Sequence, residues 1–119
     1  MTADDAVMTA RALVLRDLEA TRAANAESVS ALEESVTTRR WWTSQWAEGT
    51  AYVAGLIAQD VQDSMLGRFG RWPLCPICEA AGAAGPHALY IYPDLGGPDP
   101  TWVCEESGVR VAALGDLPG

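Results

Sequence analysis

The apolar positions of the N-terminal half repeat at helical spacing, and no Gly or Pro interrupts them before Gly49. On a helical wheel Val7, Val14, Leu18, Val29, Leu32 and Val36 fall on one face, flanked by Met8 and Leu15, with Arg16, Glu19, Glu27 and Glu34 opposite. Thr2 precedes Asp5 by three residues, so a helix can open there in capping-box fashion with acidic side chains at the positive end of its dipole. A second apolar arc, Trp42, Trp46, Val53, Leu56, Ile57 and Val61, runs through 43–66 against Gln45, Glu48, Gln59, Gln62 and Asp63. The pattern predicts two amphipathic helices folded into a hairpin through a turn over 37–43, where threonines and arginines weaken the apolar rhythm. One continuous helix is the alternative, and it would leave a long apolar stripe for another chain to cover.

Polar residues break into both arcs. Arg11, Arg22 and Asn25 interrupt the first: the Arg stems can lie along its edge with their heads in water, and Asn25 is either an edge residue or a buried polar group that fixes the register of a helix pair. Asp60 intrudes on the second arc, where Arg68 or Arg71 is its expected partner. Trp41 lies on the polar side beside Arg39 and Arg40. It caps the hairpin or covers the C-terminal module, or else, with Trp42 and Trp46, forms a partner-binding anchor, since Trp and Arg are over-represented at interface hot spots.

Past Gly67 and Gly70 the periodicity changes. The stretch 88–92 (Ala-Leu-Tyr-Ile-Tyr) reads as a strand by its aromatic and β-branched content, 93–100 as a turn-rich loop, 101–104 as the returning strand, and 109–114 as a third strand after a Ser107-Gly108 turn. The expected fold class is therefore α+β: a helical hairpin or oligomerisation region over 1–70, then a three-stranded antiparallel zinc-ribbon-like module over 71–119.

The candidate chemistry lies in that module. Cys75, Cys78 and Cys104 are the three cysteines of the chain and His87 is its single histidine. Together they make a complete ligand set for one tetrahedral Zn2+, two from a C-x2-C knuckle stiffened by Pro76 and two from farther along. An odd number of cysteines would leave one thiol over in a disulfide framework, whereas a metal in a reducing compartment uses all three. Glu105 or a water is the substitute should His87 not ligate, and buried reduced thiols are the alternative to a metal. A thiolate-rich site is expected to be closed and structural.

Charge and motif content then narrow the function classes. Eight Asp, eight Glu, eight Arg and no Lys give a net charge of −8, which opposes attraction to phosphate backbones and anionic lipid. The N-terminus lacks the basic and apolar regions of a signal peptide, and the apolar run 51–58 is too short to cross a bilayer, so a cytoplasmic protein is expected. There is no phosphate-binding glycine loop, no Ser/His/Asp set with a spare His, and no paired-acid site. The expectation is a non-enzymatic, zinc-binding interaction protein, an adaptor or small subunit of a larger assembly such as a phage-like or contractile injection particle. It would engage a protein partner, or a second copy, through its apolar helix face. A transcription or nucleic-acid-associated regulator and an enzyme working through Cys104 or an open zinc are the alternatives.

The strings Trp72-Pro73-Leu74-Cys75-Pro76, His87-Ala88-Leu89, Trp102-Val103-Cys104 and Val111-Ala112-Ala113-Leu114-Gly115-Asp116-Leu117 resemble a group of small uncharacterised actinobacterial proteins with the pattern W-P-x-C-P-x-[CH], H-x-L, W-x-C and V-A-x-x-G-x-L. The lack of Lys with abundant Ala, Gly, Val and Arg fits the GC-rich coding of such a source. The resemblance covers about the last 48 residues, 72–119, and implies that Cys75, Cys78, His87 and Cys104 occupy metal-ligand positions. This chain departs from the pattern by a long Ala/Gly insert between Cys78 and His87, and the resemblance implies no activity.

Overall fold

The first apolar face is divided between two helices, α1 (Ala3–Ala20) and α2 (Ala26–Gln45). The computed structural model describes residues 2–77, 87–93 and 98–119. Thr2 caps α1 as expected, its hydroxyl accepting from the Asp5 amide at 3.1 Å. The turn falls at 21–25 and not at 37–43, and it needs neither Gly nor Pro. Arg22 takes the left-handed conformation (φ 60°) that glycine usually supplies. The Ala23 amide then donates to the Leu18 carbonyl at 2.8 Å and the Arg22 amide to the Glu19 carbonyl at 3.1 Å, the two bonds of a Schellman termination. Asn25 starts the next helix: its side chain accepts from the Ser28 amide at 2.9 Å and the Ser28 hydroxyl accepts from the Asn25 amide at 2.9 Å. Asn25 is thus a reciprocal N-cap and neither an edge residue nor a register pin.

Residues 37–43 lie inside α2. Thr37 and Thr43 donate their hydroxyls back to the Glu33 and Arg39 carbonyls, each at 3.0 Å, and so satisfy themselves without breaking the helix. The break that the second arc conceals comes later. After Trp46 the chain passes through a 3-10 turn (Ala47–Ala51) into α3 (Val53–Leu66), giving three helices that bury Val7, Val14, Leu18, Leu32, Val36, Val53, Ile57 and Val61 against one another. Asp60 is held from α2, not by Arg68 or Arg71. Arg39 donates Nε and Nη2 to its two oxygens, both at 2.8 Å, and Ser35 adds a hydroxyl at 2.8 Å. These hydrogen bonds to Asp60 raise the Arg39 pKa above its ordinary value, against the opposing effect of burial. Arg68 faces Glu27 at 3.7 Å instead.

The three expected strands form one antiparallel sheet, β1 (Leu89–Tyr92), β2 (Thr101–Cys104) and β3 (Arg110–Ala113), in sequential order. The fold class is α+β, three helices followed by this small sheet. Leu89 opposes Cys104 and Ile91 opposes Trp102. Their side chains join Trp72, Leu114 and Leu117 in the same apolar cluster as the helix core. Two tryptophans make the junction, meeting edge to face with ring centroids 5.5 Å apart. Each uses its indole N–H to dock on the last turn of α1: Trp72 donates to the Thr21 hydroxyl at 3.0 Å, and Trp102 to Asp17 Oδ2 at 2.8 Å.

Asp17 is fully buried, and its remaining acceptor capacity takes the C-terminal tail. The Gly115 amide donates to Oδ2 at 2.7 Å and the Leu117 amide to Oδ1 at 3.0 Å. Gly115 permits this approach twice over, by its positive φ of 94° and because a Cβ there would stand 2.5 Å from Leu13 Cδ2. Removing the carboxylate strands three buried donors, each costing roughly 1–3 kcal/mol. Asp17→Ala is therefore expected to lower unfolding stability by about 3 kcal/mol or more. Asp17→Asn recovers only part, because its NH2 must face either the Leu117 amide or the Trp102 and Gly115 donors. Urea unfolding of the three proteins measures both effects, and a loss below about 1 kcal/mol for Asp17→Ala would refute the assignment.

Candidate metal centre

Backbone pairing brings Cys75, His87 and Cys104 together. The segment before the knuckle pairs with the segment entering β1 through an antiparallel bridge between Leu74 and Ala88. The Cys75 amide donates to the His87 carbonyl at 2.9 Å, and the Leu89 amide to the Pro73 carbonyl at 2.8 Å. Strand β1 then pairs with β2 so that Leu89, two residues past His87, lies opposite Cys104. From this register alone Cys75, His87 and Cys104 converge at one end of the sheet.

The ligand atoms of Cys75, His87 and Cys104 all lie within 4.8 Å of one another, and all three residues are buried. This group can hold a metal ion. In a tetrahedral site with metal–sulfur bonds of about 2.3 Å and metal–nitrogen bonds of about 2.0–2.1 Å, neighbouring ligand atoms stand roughly 3.5 Å apart, so loading asks for a contraction of at most about an ångström. His87 Nε2 supports the fit. It is buried and meets no hydrogen-bond partner among the described residues, a deficit that ordinarily costs roughly 1–3 kcal/mol and that a metal bonded to the imidazole relieves. Cys78, the fourth residue of the expected set, lies outside the described residues, as does the Ala/Gly insert after it.

The chain after Cys104 wraps back around its sulfur. The Ser107 amide donates to Cys104 Sγ at 3.4 Å, the Gly108 amide to the Cys104 carbonyl at 2.9 Å, and the Cys104 amide to the Val109 carbonyl at 2.9 Å. Gly108 closes this loop with φ 74°. An amide donated to sulfur favours the thiolate, the form that binds metal. Glu105, the expected substitute ligand, is engaged elsewhere: Oε1 accepts from Arg71 at 2.5 Å and from the Ala88 amide at 3.2 Å. The supporting roles of Ser107 and Glu105 were not visible as such in the sequence. The Ser107-Gly108 turn directly after a cysteine was the available signal.

A family model described as a domain of unknown function, DUF8819, matches residues 3–114. The chain belongs to that family. No curated protein and no solved structure matches it. The family match runs from α1 through the centre to β3, so helices and sheet belong to one DUF8819 unit.

The three tryptophans expected to bind a partner separate into two environments. Trp42 and Trp46 meet edge to face at 5.2 Å, Trp46 stacks on Tyr52 at 5.8 Å, and the Arg39 guanidinium lies 5.3 Å from the Trp42 ring centre. Together they build the corner between α2 and α3. Trp41 points away and remains 66% exposed.

A Cβ at position 108 would meet nothing within 4 Å, so a substitution there tests conformation alone. Gly108→Ala is expected to cost about 1–2 kcal/mol, and Gly108→Asn clearly less, since Asn enters the left-handed region more easily. Equal stabilities for the two variants in chemical unfolding would refute the role given to this turn.

Proposed function

We propose that this DUF8819 domain is a zinc-stabilised protein-interaction module, an adaptor or small subunit of a larger assembly with no catalysis of its own. The observation that carries the reading is the burial of two thiols and an imidazole around a common point, with His87 Nε2 unsatisfied among the described residues. Sulfur and imidazole donors select a borderline-soft ion such as Zn2+ over Mg2+ or Ca2+. Cys78, spaced C-x2-C from Cys75, is the natural fourth ligand and makes the site closed and structural.

The interaction half of the reading rests on the surface. Trp41 at 66% and Trp46 at 44% exposure are large aromatic groups at one end of the helical bundle, the residue type that anchors protein interfaces. The net charge of −8 argues for a protein partner, or a second copy, over nucleic acid. No helix among the described residues is long and apolar enough to cross a membrane.

Native mass spectrometry of protein purified without added zinc is expected to find one zinc per chain, and Cys104→Ser to abolish it. A photoreactive side chain at position 41 is expected to cross-link one recurring protein in the producing cells, while the same group on the opposite end of the domain does not. Metal-free wild-type protein would overturn the first half of the proposal. Failure of position 41 to cross-link any recurring protein would overturn the second.

A further inference from the structure

The candidate metal centre is assembled from three separate chain segments. Cys75 and His87 are joined by the Leu74–Ala88 bridge, and His87 and Cys104 by the β1–β2 register. A side-chain clasp joins the first and third segments. Arg71, four residues before Cys75, donates Nη1 to Glu105 Oε1 at 2.5 Å, and that same oxygen accepts the amide of Ala88 at 3.2 Å. Glu105 directly follows Cys104, and Ala88 directly follows His87. One carboxylate oxygen therefore touches all three ligand-bearing segments, each within a few residues of its ligand.

We propose that Glu105 is a positioning residue of the metal centre, holding the segments of Cys75, His87 and Cys104 in coordination register through its bonds to Arg71 and Ala88. The proposal rests on the metal-binding reading of the site. It also replaces the notion that Glu105 ligates the ion, since its Oε1 is committed to Arg71 and Ala88. Arg71 and Glu105 are partly exposed, with side chains 57% and 37% accessible, and exposed ion pairs add little to overall stability. Their effect is expected where geometry matters most, in the affinity of the centre. Residues that orient metal ligands from outside the coordination sphere typically change affinity by about 10- to 100-fold when removed. The clasp acts one to four residues away from the ligands, so the lower end of that range applies.

The test uses the full chain, titrated with Zn2+ against a chromogenic chelator and separately loaded with Co2+. Glu105→Ala is expected to weaken Zn2+ binding by roughly five- to tenfold. Glu105→Gln, which keeps an acceptor for the Ala88 amide but loses the charge facing Arg71, falls between it and the wild type. Arg71→Ala, at an exposed side chain that leaves the fold intact, is expected to match Glu105→Gln. The Co2+ absorption bands keep their wavelengths in all variants, because no ligand has been lost. Unchanged Zn2+ affinity in both Glu105→Ala and Arg71→Ala, with metal bound normally by the wild type, overturns the clasp and leaves the centre standing. Shifted Co2+ bands in Glu105→Ala also overturn it, by making Glu105 a ligand. A wild-type chain that binds neither ion overturns the centre and the clasp with it.

Discussion

Asp17 accepts hydrogen bonds from an indole in β2 and from two amides in the C-terminal tail, and through them it fastens the sheet to the last turn of α1. A buried carboxylate is costly unless its oxygens are satisfied. Here the donors are groups that would otherwise be stranded themselves. The burial of Asp17 and the order of the tail are therefore conditions of each other. The tail is held by the Gly115 and Leu117 amides on Asp17, by the Leu114 amide donating to the Pro100 carbonyl at 3.0 Å, by Leu114 and Leu117 in the common core, and by the close seat of Gly115 on Leu13.

This constraint reaches the candidate metal centre through one strand. Trp102 and Cys104 stand two residues apart on β2, so they face the same side of the sheet. Fixing the Trp102 indole on Asp17 sets the depth and angle at which β2 meets the helices, and with it the position of the Cys104 sulfur. From the other side, Trp72 docks on Thr21 and leads within three residues to Cys75. The two tryptophans thus carry the rigidity of the helical bundle to the two cysteines. A metal there would supply folding energy locally, as it does in other small metal-bound modules.

The sequence disclosed the fold class, the three strands and the convergence of Cys75, His87 and Cys104, because strand alternation and ligand chemistry are local signals. It misled on helix boundaries for a physical reason. The wheel positions of Val7, Val14 and Leu18 continue in phase into Leu32 and Val36, although a turn intervenes, because both helices face the same core. The clues to that turn were Asn25 and Ser28 at capping spacing. The usual marker, a glycine at the left-handed position, was replaced by Arg22. Asp17 was illegible for another reason. Its partners lie 85 to 100 residues away in sequence, and nothing local distinguishes it from a solvent-facing acid of an amphipathic helix. Asp60 was noticed as an intruder, but Arg39, its partner across the α2–α3 packing, could be chosen only once the turn was correctly placed. The break between α2 and α3, which Trp42 and Trp46 line, was hidden in an apolar run.

The account turns on whether the buried thiols and imidazole bind a zinc ion in a closed site. Zinc-edge X-ray absorption on the loaded protein measures this most directly. The prediction is a four-coordinate shell of three sulfurs at about 2.3 Å and one imidazole nitrogen at about 2.0–2.1 Å, supplied by Cys75, Cys78, Cys104 and His87. A shell of two sulfurs completed by oxygen would contradict the closed site, and a shell without sulfur would contradict the centre itself.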